Sequence, residues 1–193
     1  KGIKWTGAGY PVYSTSLSLI ALAAADRKGD QKIMIGAREW IKNAQINDPH
    51  GTQTGGFGYK PRSRRGDMSN LGLASDALYV TRYLDREPYT KDPEAAKKAH
   101  KVTSNMMSFI TACQNLPETN KADWVSDNED DHGGVVYSPG KSRLGSRDGR
   151  GKKSNLISST AITYHALKAM MYAELDRSDP RVKAAMGYLL RHY

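Results

Sequence analysis

Gly133-Gly134-Val135-Val136-Tyr137-Ser138-Pro139 follows Gln114 across a polar loop, and Gly55-Gly56-Phe57-Gly58-Tyr59 follows Gln45 in the same way. Paired glycines allow a positive φ and a close backbone approach, and the aromatic residue after them can plug the gap between two helices. Upstream of each pair runs a segment whose apolar residues recur at helical spacing. From Gln31 to Gln45 these are Ile33, Ile35, Ala37, Trp40, Ile41 and Ala44; from Pro93 to Gln114 they include Ala95, Ala99, Val102, Met106, Phe109, Ile110 and Cys113. A third such segment runs from Pro180 to Tyr193 with Val182, Ala185, Met186, Leu189 and Leu190. Trp40, Phe109 and Tyr188 correspond, each five residues before Gln45, Gln114 and Tyr193. Asp92-Pro93 and Asp179-Pro180 suit a first helical turn, where proline's missing N–H costs nothing.

A second kind of helix precedes each of these. Tyr13 to Leu22, Asp67 to Leu78 and Ile157 to Leu167 each open on Ser, Thr, Asp or Asn, the residues that cap helix N-termini. Each then runs through small and apolar residues that suit close helix packing. The order is helix, helix, Gly-Gly corner, basic loop, and then again, so the repeats fall at about 11–59, 67–137 and 156–193. An all-α chain of helical hairpins follows, read as one unit over 1–193, with two and a half repeats.

Composition agrees with a folded, soluble chain: 38% hydrophobic and 25% charged, in 193 residues that can bury a core of ordinary domain size. No apolar run approaches the roughly 20 residues that span a bilayer. The first residue is Lys1, so the lack of a leader leaves the compartment open, periplasmic or secreted included. Cys113 is the lone cysteine and has no partner for an internal disulfide. The five histidines and this cysteine show no metal-ligand spacing; no metal and no cofactor are expected.

Paired helices, a terminal Gln and a Gly-x-aromatic corner resemble the repeats of the squalene-hopene cyclase and prenyltransferase superfamily. The likeness is closer to small bacterial squalene-cyclase-like proteins, where stretches similar to Gly55–Tyr59, Asp67-Met68-Ser69-Asn70, Gly133–Pro139 and Thr163-Tyr164-His165-Ala166-Leu167 recur in this order. The resemblance covers nearly the whole chain. It implies an α/α toroid, with first helices inside a ring and second helices outside. The ring would be incomplete here, since the chain stops where a third corner is due.

The same resemblance tests the chemistry. Class II terpene cyclases place an Asp-x-Asp-Asp motif at the start of an inner helix, and its middle carboxylic acid protonates an alkene. The matching stretch has Asp67 but carries Ser69 at the proton-donating position, and a hydroxyl is far too weak an acid. Orthodox cyclase activity is therefore disfavoured in this segment. The other acidic run, Asp127-Asn128-Glu129-Asp130-Asp131, reads as an exposed polar loop that ionises normally or serves as an occasional cation site. Prenyltransferases hold zinc through Asp, Cys and His; Cys113 instead reads as a packed small hydrophobe. His165 and Tyr164, within a first-type helix, are candidates for a base or hydrogen-bond donor facing a cavity, although a helix histidine satisfied by a neighbour is the plainer reading. Tyr59 and Tyr137 read as corner packing, Trp40 and Phe109 as core.

The net charge of +9 is concentrated in two Gly-, Ser- and Pro-rich loops. One holds Lys60, Arg62, Arg64 and Arg65; the other holds Lys141, Arg143, Arg147, Arg150, Lys152 and Lys153. Both link a corner to the N-terminus of a first helix, so both are expected on one face, with helix dipoles adding positive potential. Arg62, Arg64, Arg65, Arg143, Arg147 and Arg150 are the expected anion-binding residues, for a diphosphate, an acidic glycan, an anionic headgroup or an acidic partner surface; a solvated loop is the alternative. Nucleic acid is not expected, because basic and aromatic residues do not interleave along the chain. Three classes remain open: an isoprenoid-handling protein, an active enzyme whose catalytic groups lie outside this segment included; a non-catalytic binding module; and a toroid polysaccharide lyase or anionic-glycan binder. Low aromatic content, 8%, mildly disfavours a carbocation-stabilising cavity.

Overall fold

The computed structural model describes residues 9–49 and 51–193. Six α-helices follow one another: α1 Pro11–Ala25, α2 Gln31–Asn43, α3 Met68–Val80, α4 Ala95–Thr111, α5 Thr160–Tyr172 and α6 Pro180–Arg191. Short 3-10 turns occupy Lys28–Asp30, Arg82–Asp85 and Glu129–Asp131, and no named strand occurs among the described residues, only isolated bridges. The chain is all-α, as its periodicity predicts.

The ends of the helices follow local chemistry. Asp67 caps α3, its Oδ1 accepting from the Asn70 amide at 2.9 Å, and Asp179 caps α6 ahead of Pro180. α1 starts earlier than its Ser-Thr-Ser run suggests: Pro11 opens the helix after Tyr10, so Ser14 lies inside it. α4 begins at Ala95, after rather than at Pro93. α2, α4 and α6 stop short of Gln45, Gln114 and Tyr193, and the two glutamines have other work.

That work is a clamp. Gln45 Nε2 donates to the carbonyl of Gly55 at 3.3 Å and to that of Val102 in α4 at 2.8 Å. Gln114 Nε2 donates to the carbonyl of Gly133 and to that of Arg181 in α6, both at 3.0 Å. Around each glutamine the backbone repeats as well: Ile46 donates to Gly56 at 2.9 Å, and Asn115 to Gly134 at 2.8 Å. Gly55 and Gly133 have φ of +85° and +84°, and a Cβ on either would sit 1.8 Å from the Asn105 carbonyl oxygen or 2.1 Å from that of Ala184. Only glycine meets both demands. Gly56 abuts the ring of Phe109 and Gly134 that of Tyr188, which explains the shared aromatic position. Each corner also holds the first helix of its own repeat, since Tyr59 O accepts from Val12 N at 3.2 Å and Tyr137 O from Met68 N at 2.9 Å. One difference has a visible cause. Asn105 Nδ2 donates to Gln45 Oε1, but its counterpart in α6 is Ala184, and Gln114 Oε1 is buried without a partner.

The helices form two rows. α1 packs on α3 and α3 on α5, while α2 packs on α1 and α6 on α5; α4 makes lighter contacts with α3 and α5. The α3–α5 register is regular: His165 lies over Gly72, Lys168 pairs with Asp76 at 2.7 Å, and Tyr172 stacks on Tyr79 at 3.9 Å. The core between the rows includes Val12, Leu19, Ile41, Leu71, Phe109, Ile110, Ala166 and Met170, all fully buried, with Cys113 among them. Cys113 is thus a packed hydrophobe as expected, and burial holds its thiol well above the ordinary range.

One ionic group is as deeply placed. Arg38, 3% exposed, pairs with Asp85 through two nitrogens and also donates to Leu78 O and to Thr81 Oγ1, at 2.8 Å in the latter case. Lys42 Nζ joins Asp85 at 3.4 Å. This cluster satisfies the carbonyl end of α3 and joins it to α2.

Candidate functional site: a basic pocket at the N-terminal ends of the first helices

A cavity of about 780 Å³ opens where the two corners and the two basic loops meet above α3. Its wall holds Arg65, Lys141, Arg143, Lys152 and Lys153, and its floor holds Tyr59, Tyr137 and Asp67. Five cations against one carboxylate leave it positive. Asp67 barely offsets them, because it is 4% exposed and both its oxygens accept from Asn70, from the amide at 2.9 Å and from Nδ2 at 2.8 Å.

The floor is built by the corners. Tyr59 and Tyr137 occupy the same place in their repeats, and their hydroxyls meet at 3.0 Å. Arg143 lies 3.9 Å from the centre of the Tyr137 ring, and Tyr10 packs on Tyr59 with centroids 4.6 Å apart. Burial, then the bond with Tyr59, raises the Tyr137 hydroxyl above the ordinary phenol range, against a smaller opposing effect of Arg143. One hydroxyl proton is used between the two tyrosines, and the other is left to donate to an oxyanion. Basic and aromatic groups that do not alternate along the chain are interleaved here by the fold.

The six arginines singled out in the sequence do not all converge. Arg65 and Arg143 line the pocket. Arg62 and Arg64 line a separate cavity of about 440 Å³ beside Gln45 and Asp48. Arg150 is exposed on its loop. Arg147 is engaged: Nε donates to Asp131 Oδ2 at 2.9 Å and Nη2 to Oδ1 at 3.3 Å. Asp131 is 1% exposed and also accepts from Ser126 Oγ at 2.9 Å and Ser158 N at 3.0 Å. The acidic run is therefore not uniformly solvated. Asp127, Glu129 and Asp130 are exposed, whereas Asp131 is an anchor that ties the second basic loop to the second corner.

Tyr164 and His165 lie apart from Asp67 and do not line its pocket. Tyr164 is 62% exposed on α5. His165 is half-buried against Gly72, and its Nδ1 has no hydrogen-bond partner, so the expected satisfying neighbour is missing. Burial lowers its pKa from the usual 6.5, Lys168 acts in the same direction, and Asp76 opposes both. Below that value the unfolded chain binds more protons at this site than the folded one, so stability rises with pH. The contribution is complete above about pH 6.5 and is lost as pH falls toward the lowered folded value. Thermal melts should show a steeper loss from pH 7 to pH 5, about two units, in the wild type than in His165→Gln. Equal slopes would exclude this role for His165.

Among the described residues no group of three or more His, Cys, Asp or Glu is placed to hold a metal ion, and no helix is long and apolar enough to cross a membrane. No family model matches the chain, and no curated protein matches it. The Tyr59–Tyr137 hydroxyl pair was beyond reach of the sequence. Its one signal was the shared aromatic of the two corners, which fits packing equally well.

Proposed function

We propose that the chain is an arc of an α/α toroid of the squalene-cyclase and prenyltransferase repeat type, and that its basic pocket binds a ligand through an oxyanion group. The binding reading is carried by the convergence of both basic loops on one cavity with the paired hydroxyls of Tyr59 and Tyr137 at its floor. A flexible diphosphate, sulfate or carboxylate head suits that cavity, because guanidinium and ammonium groups make charge-assisted bonds to such oxygens.

The toroid reading rests on the motif order and on register. Ser16 of α1 and Gly72 of α3 occupy the positions covered by the next first helix, and both are buried. Tyr164 is their counterpart on α5 and is exposed, as is Met171, at 62% and 63%. A further first helix stacked on α5 would cover both. Tyr164 is on this reading a stacking residue and not a cavity group.

The site argues for binding rather than class II cyclisation. Asp67 is committed to capping α3, and Ser69 cannot protonate an alkene. Isoprenoid handling is the second reading, favoured by Tyr13 and Leu17, which leave an apolar face of α1 40% and 44% exposed. Mass spectrometry of lipid extracts from the purified protein tests it; repeated recovery of no isoprenoid would count against it.

Calorimetric titration with inorganic pyrophosphate and with a heparin-derived tetrasaccharide tests the first. Saturable binding of at least one is expected. Arg143→Ser and Arg65→Ser should each weaken it by about tenfold or more, since a hydrogen bond to a charged group contributes roughly 1.5–3 kcal/mol. Arg150→Ser should change it little. Binding indifferent to Arg65 and Arg143 would exclude this pocket, and the two ligands distinguish a diphosphate head from an acidic glycan.

A further inference from the structure

A second site lies at the opposite ends of the same helices. It is explained by comparing the repeats. At the α2–α3 junction the groove is filled by Arg38, Asp85 and Lys42, with Thr81. The glutamine clamps set α2 against α4, so that Met107 stands where Arg38 does and Thr111 where Lys42 does. The equal lengths of α3 and α5, 13 residues each, align them so that Ala173, directly after α5, stands where Thr81 stands after α3. The ionic plug therefore has no counterpart at the α4–α5 junction. There the groove stays open as a cavity of about 510 Å³ lined by Met107 and Thr111. It abuts a cavity of about 410 Å³ that lies over the plug itself, with Arg38 and Asp85 in its wall, and the two share His100, Thr103 and Ala173.

The smaller of these cavities has the make-up of a small-molecule site, apolar with a few polar groups. Leu78, Ala96, Ala99 and Ala173 supply the apolar surface, and the stacked rings of Tyr79 and Tyr172 form one wall. Arg82, Arg86 and Lys97 supply positive charge. Arg82 is positioned 4.0 Å from the centre of the Tyr79 ring and donates to Tyr79 O at 3.0 Å. Arg86 has no hydrogen bond or ion pair through its side chain among the described residues. Of the acidic residues around it, Asp85 is already engaged by Arg38 and Lys42, and Glu174 alone remains in the wall.

We propose that the groove between α4 and the C-terminal ends of α3 and α5 binds a small aromatic carboxylate, with the ring against Tyr79, Tyr172 and the α4 alanines and the carboxylate on Arg86. The small residues at 96, 99 and 173 leave room for a flat body, and the tyrosine wall favours a ring over a branched chain. Lys97 is held by Glu94 at 3.2 Å, which leaves Arg86 as the cation with no competing partner.

Isothermal titration with 1-naphthoate tests this, with the neutral alcohol 1-naphthalenemethanol as its companion. The expected result is saturable binding of naphthoate. Arg86→Gln should weaken it by about tenfold or more while leaving the alcohol unchanged, because only the charged head uses the guanidinium. Ala99→Trp fills the groove and should abolish binding of both. Arg65→Ser and Arg143→Ser, at the other end of the molecule, should leave it unchanged, so failure of the basic pocket and failure of this groove are told apart. Melting curves check that the variants fold, and Arg86→Gln on the surface decides the case if Ala99→Trp does not. Absence of naphthoate binding up to its solubility limit would overturn the proposal. So would an affinity that survives Arg86→Gln intact.

Discussion

Gly133→Ala should be among the most damaging substitutions in the chain, lowering stability by roughly 2–5 kcal/mol in urea denaturation, the sum of a left-handed backbone penalty and an overpacking term. The new methyl would stand 2.1 Å from the Ala184 carbonyl oxygen, which is backbone of α6 and cannot rotate away. The corner would have to retreat from α6, and the Gln114 bonds to Gly133 and Arg181 would lengthen with it. Gly145→Ala separates the two causes. Gly145 also has a left-handed φ, +93°, but nothing lies within 4 Å of its Cβ position. It should cost only about 1–2 kcal/mol, the conformational part. If Gly133→Ala cost no more than Gly145→Ala, the close corner–helix approach would not be what fixes this glycine.

Arg38→Ala should cost about 3–5 kcal/mol, because it leaves Asp85 buried with much of its compensation removed. Lys42 remains near Asp85 at 3.4 Å, but its ammonium also faces Glu39 and cannot supply the paired contact that Arg38 makes. The Leu78 carbonyl and the Thr81 hydroxyl would lose their donor too. The double variant Arg38→Met, Asp85→Leu should recover part of the loss, since removing the pair removes its desolvation penalty with its attraction, while Lys42 keeps Glu39 as its partner. Chemical denaturation of Arg38→Ala and of the double variant checks this. A double variant as unstable as Arg38→Ala would mean that the cluster matters through its shape and its bonds to α3, and not through charge.

How far the sequence reveals this molecule depends on the range of each interaction. The Gly-Gly corners were legible because their demand is local, a positive φ followed by an aromatic. The glutamines were legible as a repeated position, although their partners Val102 and Arg181 lie in helices far along the chain. Helix order was legible from apolar spacing, and the cap at Asp67 from its residue type. The start of α1 was misplaced because Pro11 at the first turn outweighs the Ser-Thr-Ser run that resembles a cap.

The site was legible by half. The two basic loops could be expected on one face, yet which arginines reach the pocket depends on distant pairings. Arg147 is drawn away by Asp131, which sits in an acidic run that looks solvated until its contacts with Ser126 and Ser158 are seen. Arg38 and Asp85 show no local sign of their pairing, as they lie in different helical segments. The groove beside α4 could not have been read at all, because its walls come from α3, α4 and the end of α5, which lie far apart along the chain.

Mapping an anion onto the protein shows whether an oxyanion binds between the two basic loops. In a nuclear magnetic resonance titration with inorganic pyrophosphate, the ring signals of Tyr59 and Tyr137 and the amides of Arg65, Gly66 and Arg143 should move together along one saturable curve. Shifts confined to Arg150 and other exposed loop residues, with the two tyrosines unmoved, would contradict it.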